Sequence, residues 1–208
     1  MKYFNFLFVA LLSGFLISCG TNDKNTTTTT NNNNNTTNTT TNNQTTQTPK
    51  STTGQIAAVS SVQPSTGKNV APNFTWTADG KSASLNDLKG NVVFVNLWAT
   101  WCGPCKAEMP DLSEISQELN GKNFKMLGVS VFEQEDGAVQ SFLQKNPVSY
   151  QILTGNDDLV SAFSKAINKD INAIPMTLII DKDGNIVEAI EGKRSKEEFL
   201  KMINKYLV

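Results

Sequence analysis

Seven consecutive residues, Val92-Val93-Phe94-Val95-Asn96-Leu97-Trp98, include a single polar side chain. A strand with one face in water would alternate apolar and polar residues. This run does not, so both of its faces need cover, and it reads as the central strand of a sheet. The rest of the pattern agrees. Leu112, Ile115 and Leu119 recur three and four apart after Cys105 and mark a helix. Lys125 to Val131 reads as a second strand. Val139, Phe142 and Leu143 mark a helix, and Leu159, Val160, Phe163 and Ile167 mark another. Met176 to Ile180 is a strand, Asp181-Lys182-Asp183-Gly184-Asn185 a hairpin turn, and Ile186 to Ile190 the returning strand. Ser195-Lys196-Glu197-Glu198 is a capping box opening a last helix through Leu200, Ile203 and Leu207. Upstream, Phe74-Thr75-Trp76-Thr77 and Ala78-Asp79-Gly80-Lys81 predict a strand and a turn. Ser84-Leu85-Asn86-Asp87-Leu88-Lys89-Gly90 predicts a short helical turn ending at glycine. The expected class is α/β, a mixed central sheet flanked by helices.

Only part of the 208 residues can build that core. Met1-Lys2, the apolar stretch Tyr3 to Ile17 and the small residues Ser18-Cys19-Gly20 make a secretory signal peptide over residues 1–18. The apolar stretch is short for a spanning helix, which needs about 20 residues. Leu16-Ile17-Ser18-Cys19 resembles the bacterial lipobox, whose cysteine is lipidated and becomes the first mature residue. Two or more acyl chains on Cys19 would anchor the protein stably to a membrane. The alternative is an ordinary signal with an incidental cysteine. Thr21 to Thr53 is nearly all Thr, Asn and Gln, with no apolar surface to offset the entropy of ordering. Residues 19–70 are therefore expected to be the lipidated cysteine and a disordered linker. A flexible chain of about 50 residues has a root-mean-square reach of roughly 40 Å. Asp23-Lys24-Asn25-Thr26-Thr27 resembles a bacterial N-glycosylation sequon, but so Thr/Asn-rich a tract produces such matches by chance. Residues 71–208 form the expected folded domain, large enough for one core.

Composition removes several chemistries. Lys plus Arg number 18 and Asp plus Glu 19, a net charge of -1 that argues for neither nucleic acid nor an anionic membrane surface. Histidine is absent, so no imidazole base or ligand is available. What remains is sulfur. Trp101-Cys102-Gly103-Pro104-Cys105-Lys106 follows the central strand and opens a helix. Thiol–disulfide exchange needs two sulfurs within bonding reach, one of them a thiolate. The helix dipole and free backbone N–H groups favour negative charge at the first cysteine. Cys102 is the candidate attacking sulfur and Cys105, one turn on, the candidate resolving one; together they are the candidate disulfide. A zinc knuckle would need four ligands, and the chain has three cysteines with no histidine, so no metal site is expected. A purely structural disulfide across so short a loop would stabilise little. The redox reading follows, and it needs no cofactor.

The same residues resemble a known family. Trp101-Cys102-Gly103-Pro104-Cys105-Lys106 is similar to the active site of thioredoxin, and Pro110 matches that family's helix-kinking proline. Ile174-Pro175-Met176-Thr177 resembles its cis-proline loop, which faces the cysteines and pairs with substrate backbone. The region from Ala71 onward, with Asn96-Leu97-Trp98-Ala99-Thr100-Trp101-Cys102 and Cys105-Lys106-Ala107-Glu108-Met109-Pro110, resembles the TlpA/ResA-like secreted thioredoxins. The resemblance implies a thioredoxin-like fold with an N-terminal β extension. It implies that Trp101, Gly103, Pro104, Ile174 and Pro175 meet substrate. Asn96 takes the place of thioredoxin's buried aspartate. Glu108 matches a glutamate beneath the cysteines, where a carboxylate could take the Cys105 proton. Glu108 could equally favour the first helical turn through the dipole, and the residues alone leave both readings open.

The implied function is an extracytoplasmic, lipid-anchored reductase of disulfides in exported proteins, apocytochrome c being one candidate client. A membrane thiol carrier of the DsbD/CcdA type would supply electrons. ResA-like proteins often carry an acidic residue between the cysteines. Gly103-Pro104 instead resembles the reducing thioredoxins, whose potential is about -270 mV. Two alternatives stand: a thiol oxidase running the reaction in reverse, and a non-enzymatic binding lipoprotein of the same fold.

Overall fold

The computed structural model describes residues 56–208 apart from Asp79. The expected signal peptide at residues 1–18, the candidate lipidation site Cys19, the sequon-like stretch Asp23 to Thr27 and the Thr/Asn-rich tract to Thr53 lie outside the described residues. The chain runs β1 (Ala57–Gln63), β2 (Asn73–Ala78), β3 (Lys81–Ser84), a 3-10 turn (Leu85–Leu88), β4 (Val92–Trp98) and α1 (Gly103–Glu118). It continues β5 (Phe124–Ser130), α2 (Ala138–Lys145), β6 (Gln151–Thr154), α3 (Asp157–Ile167), β7 (Met176–Ile180), β8 (Ile186–Glu191) and α4 (Lys196–Leu207). The strands form one sheet in the order β3-β2-β1-β6-β5-β4-β7-β8.

All seven residues of β4 are buried, as its lack of alternation requires. It pairs in parallel with β5 and antiparallel with β7, so both edges are hydrogen-bonded. Its side chains divide between two cores. Val93, Val95 and Leu97 join Phe74, Trp76, Leu159 and Phe163 on the α3 side. Val92, Phe94 and Trp98 join Leu112 and Ile115 of α1 and Phe199 and Ile203 of α4. Phe94 and Phe199 meet edge to face at 5.1 Å between ring centroids, a preferred aromatic geometry. Each such fully buried side chain stabilises the fold by roughly 1.5–3 kcal/mol. The capping box at α4 is present: Ser195 N donates to Glu198 Oε2 at 2.8 Å, and Glu198 N donates to Ser195 Oγ.

Two strands differ from the sequence-based expectation. The first described strand starts at Ala57, so ordered structure over residues 57–70 precedes the boundary drawn at residue 71. Ala57 and Val59 are buried, and β1 joins β6 in parallel through Ala57↔Leu153 and Ala58↔Thr154 while pairing antiparallel with β2. Loop residues beyond β1 are fixed as well, since Asn69 N donates to Ala166 O at 2.8 Å and Ile186 N donates to Asn69 O at 2.6 Å. The N-terminal β extension is thus β1 to β3, joined to the main sheet through β1. The second difference is β6, only four residues long, which completes the sheet between β1 and β5.

Gly128 shows how tightly β5 and β6 are seated. A Cβ added there would lie 2.7 Å from Ile152 Cδ1 and 2.8 Å from Tyr150 Cε2. Both neighbours are buried, so neither moves without disturbing the α1-side core. Gly128→Ala is expected to cost about 1–3 kcal/mol as an overpacking substitution. Urea unfolding checks this: the midpoint falls with the slope unchanged. An unchanged midpoint would mean that the two side chains yield freely.

Candidate active site

β4 ends at Trp98, and the chain leaves the sheet through Ala99-Thr100-Trp101 before α1 begins at Gly103. Cys102 is the residue capping α1, with extended backbone and Pro104 in the helix's first turn. Its sulfur accepts the Cys105 backbone N–H at 3.2 Å. Pro104 has no N–H to offer, and its fixed φ suits a helix start. Cys102 and Cys105 are joined in a disulfide, with Cα atoms 5.3 Å apart. Cys105 is fully buried and Cys102 is 4% exposed, while Gly103 and Pro104 are exposed. A Cβ at Gly103 would meet nothing within 4 Å, so the space beside this residue is open.

Three other segments surround the pair. The Ile174–Pro175 peptide bond is cis, and the Ile174 carbonyl oxygen lies 3.8 Å from Cys102 Sγ. Pro175 O accepts the Gly192 N–H at 2.8 Å, tying this loop to the turn after β8. On the opposite flank Trp101 is 51% exposed, and its indole Nε1–H donates to Phe132 O at 2.9 Å. Phe132 is itself half-exposed and holds a left-handed φ of 58°, which a bulky residue adopts only under constraint. The adjacent Glu133 supplies that constraint. Its carboxylate accepts from Thr100 N at 2.8 Å, Thr100 Oγ1 at 2.7 Å and Ser130 Oγ at 2.5 Å. Glu133 therefore fixes Thr100, two residues before Cys102, against Ser130 at the end of β5.

Beneath the sulfurs lies a small polar cluster inside the α1-side core. Glu108, one turn past Cys105 on α1, is fully buried, as are Asn96 and Thr177. Asn96 Nδ2 donates to Glu108 Oε1 at 2.9 Å and to Thr177 Oγ1 at 3.1 Å. Glu108 Oε2 has no partner among the described residues. A carboxylate with one oxygen stripped of water and unbonded is poorly stabilised as an anion. Burial accordingly pushes the Glu108 carboxyl from 4.5 up to about 7, against the opposing pull of the Asn96 amide, the nearby Arg194 backbone N–H and the positive charges of Lys193 and Arg194. Burial first, and the Glu108 charge second, push the Tyr150 hydroxyl above the usual phenol range.

Residues 65–205 match the Redoxin family. The chain is 34% identical over 130 residues to a thiol-disulfide oxidoreductase ResA of Bacillus cereus, covering 62% of this chain and 71% of that relative. Identity to ResA of Bacillus subtilis (strain 168) is 30% over 139 residues, covering 66% and 72%. The chain belongs to the Redoxin family, as a thiol–disulfide oxidoreductase. A thiol:disulfide interchange protein of the thioredoxin family from Chlorobium tepidum TLS superposes with a TM-score of 0.61 at 31% identity. That superposition spans 72% of this chain and 100% of the other, which places the oxidoreductase in the thioredoxin-like fold.

The structure brings Trp101, Cys102, Gly103, Pro104 and Cys105 together with Ile174 and Pro175, and sets Glu108 one helical turn below. Cys19 lies outside the described residues. Sequence reasoning did not find Glu133, Phe132 or the second partner of Asn96, Thr177. Thr177 carried a signal, because it faces Asn96 across the β4–β7 ladder. Glu133 carried none, since its position depends on the left-handed turn before it.

The raised carboxyl gives a signed expectation. A carboxylic acid whose folded pKa exceeds its unfolded one contributes stability below the unfolded value, and loses it as pH climbs through the folded one. Raising a pKa from 4.5 to about 7 corresponds to on the order of 3 kcal/mol. Oxidised wild-type protein is expected to lose stability between about pH 4.5 and pH 7 relative to Glu108→Gln, which has no proton to lose there. Denaturant midpoints of both proteins across that window test it; parallel profiles would mean that Glu108 ionises without cost.

Proposed function

We propose that the protein is a membrane-tethered reductase of disulfides in exported proteins, working outside the cytoplasm. The observation that carries this is the Cys102 sulfur at the head of α1, accepting the Cys105 amide at 3.2 Å while bonded to the Cys105 sulfur. In the reduced protein that amide and the helix N-terminus favour Cys102 as a thiolate. The thiolate attacks one sulfur of a client disulfide, forming a mixed disulfide and releasing the first client thiolate. Cys105 then attacks Cys102 Sγ and releases the second. Two electrons pass to the client, and the protein is left with the Cys102–Cys105 disulfide. Cys105 is buried and must lose its proton in that second step; Glu108, with its carboxyl at about 7, takes the proton from inside the fold. Trp101, Gly103, Pro104, Ile174 and Pro175 line the client's approach, with the Ile174 carbonyl open to pair with client backbone.

The targeting segment supports the location. Residues 1–18 direct export, acyl chains on Cys19 hold the protein at a bacterial membrane, and the Thr/Asn-rich tether lets the domain range above it. Apocytochrome c is among the clients of this reading, and a membrane thiol carrier of the DsbD/CcdA type returns the protein to its dithiol form.

Trapping tests the chemistry. Cys105→Ser is expected to accumulate disulfide-linked adducts with exported proteins, released by dithiothreitol and lost in the Cys102→Ser/Cys105→Ser double variant. Adducts that persist in the double variant, or none in either, would sink the assignment. Cys102 is also expected to react with iodoacetamide at a pH well below that needed by free cysteine, and an alkylation profile matching free cysteine would remove the thiolate argument. Equilibration against glutathione sets the direction of flow, and a potential above about -150 mV would point to the oxidase instead.

A further inference from the structure

The turn after β8 carries two cations that neither attack sulfur nor take a proton in the exchange. Gly192 N is bonded to Pro175 O at 2.8 Å, so Lys193 and Arg194 follow directly from the cis-proline loop whose Ile174 carbonyl lies 3.8 Å from Cys102 Sγ. Lys193 is exposed. The Arg194 guanidinium folds back on its own turn, donating to Lys193 O at 2.8 Å and Gly192 O at 3.3 Å, which holds it in place. Their sequence neighbours are neutralised: Glu191 pairs with Lys169 at 2.7 Å, and Lys196 pairs with Glu114 at 2.9 Å and Glu118 at 3.5 Å. Neither Lys193 nor Arg194 has a carboxylate partner in an ion pair among the described residues. The charges of both reach Glu108 beneath the sulfurs, an independent sign of how near they lie. Across the disulfide the sign reverses. Glu133 is consumed by Thr100 and Ser130, and exposed Glu135 and Asp136 lie beyond Phe132.

We propose that Lys193 and Arg194 form a positive rim that selects client disulfides flanked by acidic residues. The inference rests on the exchange reaction proposed above and names the client chemistry that reaction prefers. An extended client lying over Ile174–Pro175 with its sulfur at Cys102 places its neighbouring side chains against this turn. An Asp or Glu there meets two cations that lack an ion-pair partner among the described residues, while a neutral residue gains nothing from them. Complementarity of this kind acts mainly on the association rate and is screened by salt.

The test uses reduced full-length protein and two disulfide-linked peptides of equal length, one with Asp and Glu beside each cysteine and the other with Asn and Gln. At low salt the acidic peptide is expected to be reduced about tenfold faster, within the range that electrostatic steering supplies. The ratio should approach one at about 1 M salt, where the screening length is only about 3 Å. Lys193→Gln/Arg194→Gln is expected to bring the low-salt ratio to near one, and Lys193→Arg/Arg194→Lys to preserve it. Because each protein supplies its own ratio, a general loss of activity does not imitate the effect. Should the double variant fail to fold, Lys193→Gln alone, at an exposed position, must still lower the ratio. A ratio near one in the wild type, or one that survives both substitutions to Gln, overturns the inference. Hydroxyethyl disulfide separates the two levels: wild-type protein that reduces neither it nor the peptides overturns the exchange reading and this one with it.

Discussion

The structure depends on one constraint: β4 must be covered on both faces and paired on both edges. No residue of that strand can meet water, so α1 and α4 close one side and the α3 layer, with the β1–β3 hairpins, the other. The chain can leave only at the end of the strand, after Trp98. That exit delivers Cys102 to the start of a helix whose position is set by Leu112 and Ile115 packing beneath it. The β4–β7 ladder runs from Val93↔Ile180 to Leu97↔Met176, which brings the residues just before Met176 to the same end of the sheet. Two sulfurs and a cis peptide bond from distant parts of the sequence therefore meet because one strand is buried.

The polar cluster under the sulfurs is the exception that this core tolerates. Asn96 is the single polar residue of β4, and it is not idle: its amide serves both Glu108 and Thr177. Replacing thioredoxin's aspartate by an amide at this point changes the electrostatics. Two carboxyls in one buried space would repel each other as anions, whereas Asn96 donates to Glu108 and leaves it the sole acid of the cluster. One Glu108 oxygen has no partner among the described residues, and burial holds the carboxyl near 7, poised between its two protonation states.

Much of the fold was legible because hydrophobic period and caps report packing directly. β4 and β7 were recovered at their observed bounds, and Ser195 and Glu198 marked the start of α4. β1 was not legible. Its Ala-Ala-Val-Ser-Ser-Val-Gln sequence buries only Ala57 and Val59, and it emerges from a polar tract that hides any change of pattern. β6 escaped because Gln-Ile-Leu-Thr is too short to show a period, although the space left by Gly128 is shaped for it. At the site, the cysteines were legible from their motif and the cis bond from family resemblance. Glu133 was not, since three hydrogen bonds to Thr100 and Ser130 arise only once the chain has turned at Phe132.

The placement of the tryptophans has a practical consequence. Trp76 and Trp98 are sealed at 4% and 1% exposure, whereas Trp101, next to the sulfurs, stands half in solvent. Their emission is therefore divided: Trp76 lies in the α3-side core away from the site, Trp98 shares its core cluster with the disulfide sulfurs, and Trp101 reports the surface where a client would land. The molecule carries its own optical probe at the point of contact, with an internal reference, and needs no attached dye.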